Sequence, residues 1–169
     1  MPEKETLERA RQDKRAGKSA STHAGEFVRE EMHHIREGKH GARSTKQAIA
    51  IGLSKARRAG VSLGAPPSSA KAQTKKSAAS ASRAGKHRRR HKSPRRSRAV
   101  RRALKREGRA AASHQSLARQ AHTAAGRRSA VSRRDSARRA ARTKGPRVRR
   151  AAALRAARTR QRKRRAKAA

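Results

Sequence analysis

The chain has 169 residues, with 51 Lys and Arg against 10 Asp and Glu, for a formal net charge of +41. Leu, Ile, Val and Phe together number only 15, so the 32% hydrophobic content is mostly alanine, which brings little area to a core. Such a composition argues against an enzyme with an apolar-walled pocket, and the lack of cysteine excludes disulfide frameworks, thiolate metal sites and cysteine catalysis. No run approaches the roughly 18 apolar residues of a membrane span, and no apolar core follows Met1 as in a signal peptide. The expectation is a cytoplasmic, nucleoid-associated protein made for a polyanion, with no membrane partner.

Charge and large apolar residues divide the chain in opposite senses. Residues 1–64 carry a net +6 and hold 11 of the 17 Leu, Ile, Val, Met and Phe, whereas residues 65–169 carry +35 with only Glu107 and Asp135 acidic. The expected organisation is a small helical head over 1–64, a Pro/Ser/Ala/Lys linker over 65–85 without periodicity, and a basic low-complexity tail over 86–169.

The first predicted helix, Pro2 to Ala16, has acidic Glu3, Glu5 and Glu8 in its first turns, which suits the helix dipole. The second runs from His23 to Glu37 with Ser21 or Thr22 as cap. Phe27, Val28, Met32 and Ile35 form its apolar stripe, while Glu31 and Arg36 point elsewhere. Gly38 ends it. The third spans Lys46 to Ala59, opened by a capping-box pattern of Ser44 and Gln47, with Ile49, Leu53 and Ala56 on one face. Packing Phe27, Met32 and Ile35 on Ile49 and Leu53 makes a helical hairpin whose core is small enough to call for a partner chain or nucleic acid.

Gly25-Glu26-Phe27-Val28, Ile35-Arg36-Glu37-Gly38-Lys39-His40-Gly41 and Ser44 through Arg57 together resemble a family of small bacterial proteins. That family is a domain of unknown function marked by a K-Q-A-I-A-I-x-L-S-x-A core, and the likeness covers about residues 22–61. It implies a bacterial source and no particular activity. The tail separately resembles bacterial linker-histone-like proteins, from which it departs by favouring Arg over Lys, 28 to 9.

Past Gly85 the chain alternates arginine clusters with small residues: Arg88-Arg89-Arg90, Arg95-Arg96, Arg101-Arg102, Arg127-Arg128, Arg133-Arg134, Arg138-Arg139, Arg149-Arg150 and Arg164-Arg165. Like charges at this density repel, so a disordered tail is expected. Once phosphates neutralise it, helices are expected over 98–106, 113–125, 129–143 and 147–168, broken by Gly108, Gly126 and Gly145-Pro146. Ser93-Pro94-Arg95-Arg96 reads as a turn inside the basic run, although it also resembles the S-P-basic-basic turns of histone tails. The expected fold class is thus mostly α with disorder: a short hairpin of two or three helices, then a long disordered Arg/Ala-rich tail that turns helical on nucleic acid.

Guanidinium groups hold phosphate oxygens with a planar fork and stay charged at any physiological pH. The candidate nucleic-acid contacts are those tail clusters together with Arg43, Lys46, Lys55, Arg57 and Arg58 of the head. A helix-turn-helix reader would draw on Arg43, Lys46, Gln47 and Lys55, but the connection is longer than the usual tight turn. Glu30 and His34, His33 and Glu37, and nearby His40 lack the H-E-x-x-H order and read as a solvated helix face, so no metal site is expected. No catalytic or cofactor-binding residues are expected either. Without tail aromatics to stack on bases, duplex DNA is favoured as the partner. An RNA- or ribosome-associated role stays open, as does a head that binds a protein partner or self-associates while the tail tethers it.

Overall fold

The computed structural model describes residues 2–86 and 93–168. Among them the order is α1 (Lys4–Arg15), α2 (Ala20–Arg36), α3 (Thr45–Arg58), α4 (Ala72–Lys86), α5 (Pro94–Arg106), a 3₁₀ turn (Ala110–Ala112), α6 (His114–Gly126) and α7 (Ala130–Ala168). Contacts divide the chain into two units, Met1–Gln120 and Ala121–Ala169.

Local sequence explains where the first helices start and stop. Ser44 Oγ accepts from Gln47 N at 3.2 Å, and the Gln47 side chain reaches back to accept from Arg43 N at 2.9 Å. Ser19, two or three residues before the expected caps, precedes α2 in an extended conformation. Gly17, Gly38 and Gly60 follow α1, α2 and α3 with φ of 66°, 79° and 88°, the left-handed exit that glycine adopts without strain.

The first unit is built on α2 and α3. Ala48, Gly52 and Ala56 recur every four residues along α3 and are all buried, so its backbone lies directly against α2. A Cβ on Gly52 would stand 2.7 Å from Val28 Cα. The larger side chains fill the space on either side. Met32 and Ile35 join Ala42, Ala48, Ala111 and Ala112, with Val28, Ile49 and Leu117 partly covered beside them. Phe27 joins Ala10, Ala24 and Ala56, with Leu7, Leu53, Val61 and Leu63. Ile49 and Leu53 therefore flank the contact, and the small residues make it.

Two segments outside the expected head complete this core. α4, read from sequence as an aperiodic linker, packs on α3 through Ala78, Ala81 and Gly85, spaced i, i+3 and i+7. Gly85 lies so close to the Arg57 carbonyl that no side chain would fit. The 3₁₀ turn buries Ala111 and Ala112, and Thr45 Oγ1 donates to Ala111 O at 2.7 Å while Arg36 Nε donates to Ala112 O at 2.9 Å. Gly41 N donates to Leu104 O at 2.8 Å, and a Cβ on Gly41 would overlap the Glu107 carbonyl. The core that looked incomplete is closed by this chain's own alanines.

The expected disordered tail is corrected most plainly here, because the described residues past 93 are helical. Three serines open these helices: Ser93 accepts from Arg96 N, Ser113 from Ser116 N and Ser129 from Ser132 N. Ser93 and Pro94 are thus the cap and first residue of α5 rather than a turn. Alanine and arginine rank among the best helix formers, and like charges at i, i+4 cost only about 0.2–0.5 kcal/mol per pair, so propensity and the serine caps outweigh repulsion. The helices occupy nearly the stretches that sequence marks as helix-capable. In the second unit α7 is interrupted at Gly145 (φ 65°, ψ 167°), where Pro146 forbids a helical residue before it.

Two glycines of the first unit should respond oppositely to alanine. Gly52→Ala forces α2 and α3 apart, and overpacking of about 1–3 kcal/mol should exceed the helix-propensity gain of at most about 1 kcal/mol. Gly25→Ala on α2 meets open space and should stabilise by up to about 1 kcal/mol. Thermal unfolding of the two variants should show melting temperatures displaced in opposite directions.

Candidate functional site

The cations fall into two groups with different surroundings. Among the described residues twelve close charge contacts lie within residues 3–55. Residues 3–55 therefore pair most of their acids internally, whereas the first unit as a whole still carries 32 Lys and Arg against 9 acids. Arg9 Nε donates to Glu26 Oε2 at 2.7 Å, tying α1 to α2 and raising the guanidinium pKa still further. Lys39 lies between Glu37 (3.0 Å) and Glu3 (3.2 Å). Glu3 is held below the ordinary carboxylate range first by His34 and then by Lys39, and Glu37 first by Lys39 and then by His33. A depressed carboxylate favours the fold above its ordinary pKa, and that support is lost as pH falls through its lowered folded value.

The cations expected as a head patch differ in exposure. Arg43 is exposed on the α2–α3 connection, Lys46 is exposed in the first turn of α3, and Arg58 is exposed in its last turn. Arg57 is half-buried, with Nη2 donating to Gly64 O at 2.9 Å. Lys55 is turned inward, its Nζ 2.6 Å from Glu31 Oε2 and 3.3 Å from Glu30 Oε1. α3 is contacted by both α2 and α4, and Lys46, Ala50 and Arg58 remain exposed on it.

Around Lys55 lies a buried charged cluster where sequence suggested a solvated helix face. Glu30 and Glu31 are buried, and their side chains are 1% and 0% exposed. Glu30 is satisfied by Lys55 and by Glu3 N, which donates at 3.1 Å. Glu31 is not. His40 Nε2 stands 3.3 Å from its Oε1 and Lys55 2.6 Å from its Oε2, yet neither oxygen receives a hydrogen bond of acceptable direction. Glu31, His34 and His40 each bring a ligand-type atom within 4.8 Å of the others, a donor set suited to a divalent ion. Glu31 was read as pointing away from the core because its partners, His40 and Lys55, are remote in sequence.

The tail cations are arranged differently. On α5, Arg95, Arg98, Arg102 and Lys105 share one helical face with Arg101 and Arg106 beside it, Arg96 lies off that face, and all seven are exposed. Arg127 and Arg128 precede α7, and the Arg128 guanidinium folds onto Ser132 and Ser136. Arg133, Arg134, Arg138, Arg139, Arg149, Arg150, Arg164 and Arg165 are exposed on α7, spread around its axis rather than gathered on one side. Arg88, Arg89 and Arg90 lie outside the described residues.

Residues 11–66 match a family of unknown function, DUF6496, so that stretch is similar to a small domain of unknown function. No curated protein and no solved structure matches the chain. Among the described residues no helix is long and apolar enough to cross a membrane.

The inward placement of Lys55 gives it a structural load. Lys55→Met leaves two neighbouring buried carboxylates without their cation and should cost about 3–5 kcal/mol in a urea titration. Affinity for duplex DNA, measured where the variant is still folded, should change less than about threefold. A variant of unaltered stability that binds DNA far more weakly would make Lys55 a phosphate contact instead.

Proposed function

We propose that the chain is a histone-like, non-enzymatic protein that binds duplex DNA largely without regard to sequence, by neutralising phosphates. The observation that carries this reading is residues 121–169, where 19 Lys and Arg face one acid, Asp135. Over 146–168 there are 11 Lys and Arg. A helix of that span is about 34 Å long, so it offers roughly one cation per 3 Å, comparable with the phosphate charge of DNA at about one per 1.7 Å. Clusters on α5 and α7 are exposed and bear guanidinium forks that fit phosphate oxygens. Phosphate contacts position a protein without reading bases, and residues 65–169 contain no aromatic to stack on unpaired bases. Residues 3–55, where the ion pairs lie, form a folded head, and the exposed cations are carried by α5 and α7.

Counterion release makes the reading quantitative. If a third of the 37 cations in residues 65–169 meet phosphates, about 12 contacts form and log affinity should fall against log salt with slope near −11. Fourfold more salt should then weaken binding by about six orders of magnitude. The measurement is a fluorescence titration of the full chain with labelled duplexes of two unrelated sequences at several salt concentrations. A slope shallower than about −4, or strong preference for one duplex, contradicts the proposal. Structured RNA that displaces the duplex at equal concentration moves the partner to RNA.

A further inference from the structure

We infer that Glu31, His34 and His40 form a zinc site in the first unit, a binding site that goes beyond the nucleic-acid reading and does not rest on it. The three ligand atoms lie within 4.8 Å of one another. Zinc held by two imidazoles and a carboxylate at about 2.1 Å places tetrahedral ligands about 3.4 Å apart. His40 Nε2 and Glu31 Oε1 already stand 3.3 Å apart, so small side-chain movements complete the set.

The histidines are oriented as zinc ligands are. A ligating imidazole donates its other N–H to a carboxylate or carbonyl, which frees the remaining nitrogen to hold the metal. His34 Nε2 faces Glu3 Oε1 at 2.7 Å, and His40 Nδ1 faces Gly41 O at 3.1 Å. Both partners only accept, so those nitrogens are the donors, and the lone pairs fall on His34 Nδ1 and His40 Nε2. Glu31 supplies the second, independent sign of a ligand: a fully buried carboxylate whose Oε1 accepts no hydrogen bond and faces the unprotonated His40 Nε2 at 3.3 Å, an expensive contact that a metal ion between them relieves. Lys55 remains on Oε2, leaving Oε1 for the metal.

Access is provided on one side. His40 borders an open groove of about 440 Å³ between residues 37–41 and 105–109, which gives solvent a route to its side of the cluster. Bound there, zinc joins α2 to the following loop, which itself docks on the end of α5.

The test uses the full chain freed of nucleic acid and titrated with zinc chloride against a chromophoric chelator. One zinc per chain is expected. His40→Ala should weaken it at least a hundredfold, and Glu3→Ala, which removes the partner of His34, should weaken it about tenfold. His33→Ala and His122→Ala should leave it unchanged. Because His40→Ala can disturb folding, nitrogen-15 NMR of the wild-type histidine rings gives a second reading, with zinc shifts expected at His34 Nδ1 and His40 Nε2. Absence of one-to-one binding, undiminished binding by folded His40→Ala, or shifts at other histidines would overturn the site.

Discussion

The structure depends on how closely α3 approaches α2. With Ala48, Gly52 and Ala56 along the contact, the backbones meet, and a chain poor in large apolar residues still buries a continuous interface. Dispersion between well-packed backbones substitutes for the area that leucines would have brought. Separation by even one methyl would loosen both apolar clusters, because Phe27 sits against Ala56 and Ile35 against Ala48 across the same seam.

The same approach carries Lys55 over Glu30 and Glu31. Buried carboxylates are costly unless compensated, and here the compensating cation is Lys55 of the neighbouring helix. The first unit thereby uses most of its acids internally. Residues beyond 120 have one acid and cannot do this, so their positive charge faces outward. Charge paired within residues 3–55, against unpaired cations exposed, among the described residues, on α5 and over residues 121–169, is the division of labour on which the DNA-binding proposal stands.

Signals confined to a few neighbouring residues were legible in sequence. The Ser44–Gln47 cap set the start of α3, and the Phe27, Met32, Ile35 spacing gave the buried stripe of α2. Interactions between distant residues were not. Glu31 looks solvent-facing until Lys55 and His40 come round to it. Alanine has no apolar signature against a polar background, so the faces of α4 and of Ala110–Ala112 were read as linker and tail although they close the core. The helical state of the tail is hidden by its charge density, whereas Ser93, Ser113 and Ser129 cap helices whose composition already favours them.

Arginine footprinting tests the central claim most directly. The full chain, free and bound to duplex DNA, is modified with an arginine-specific dicarbonyl and analysed peptide by peptide. The account has DNA protecting the arginines of residues 95–106 and 127–165, while Arg9, paired with Glu26, reacts equally in both states. Protection confined to Arg43, Arg57 and Arg58, with the α5 and α7 arginines as reactive as in the free chain, would contradict it.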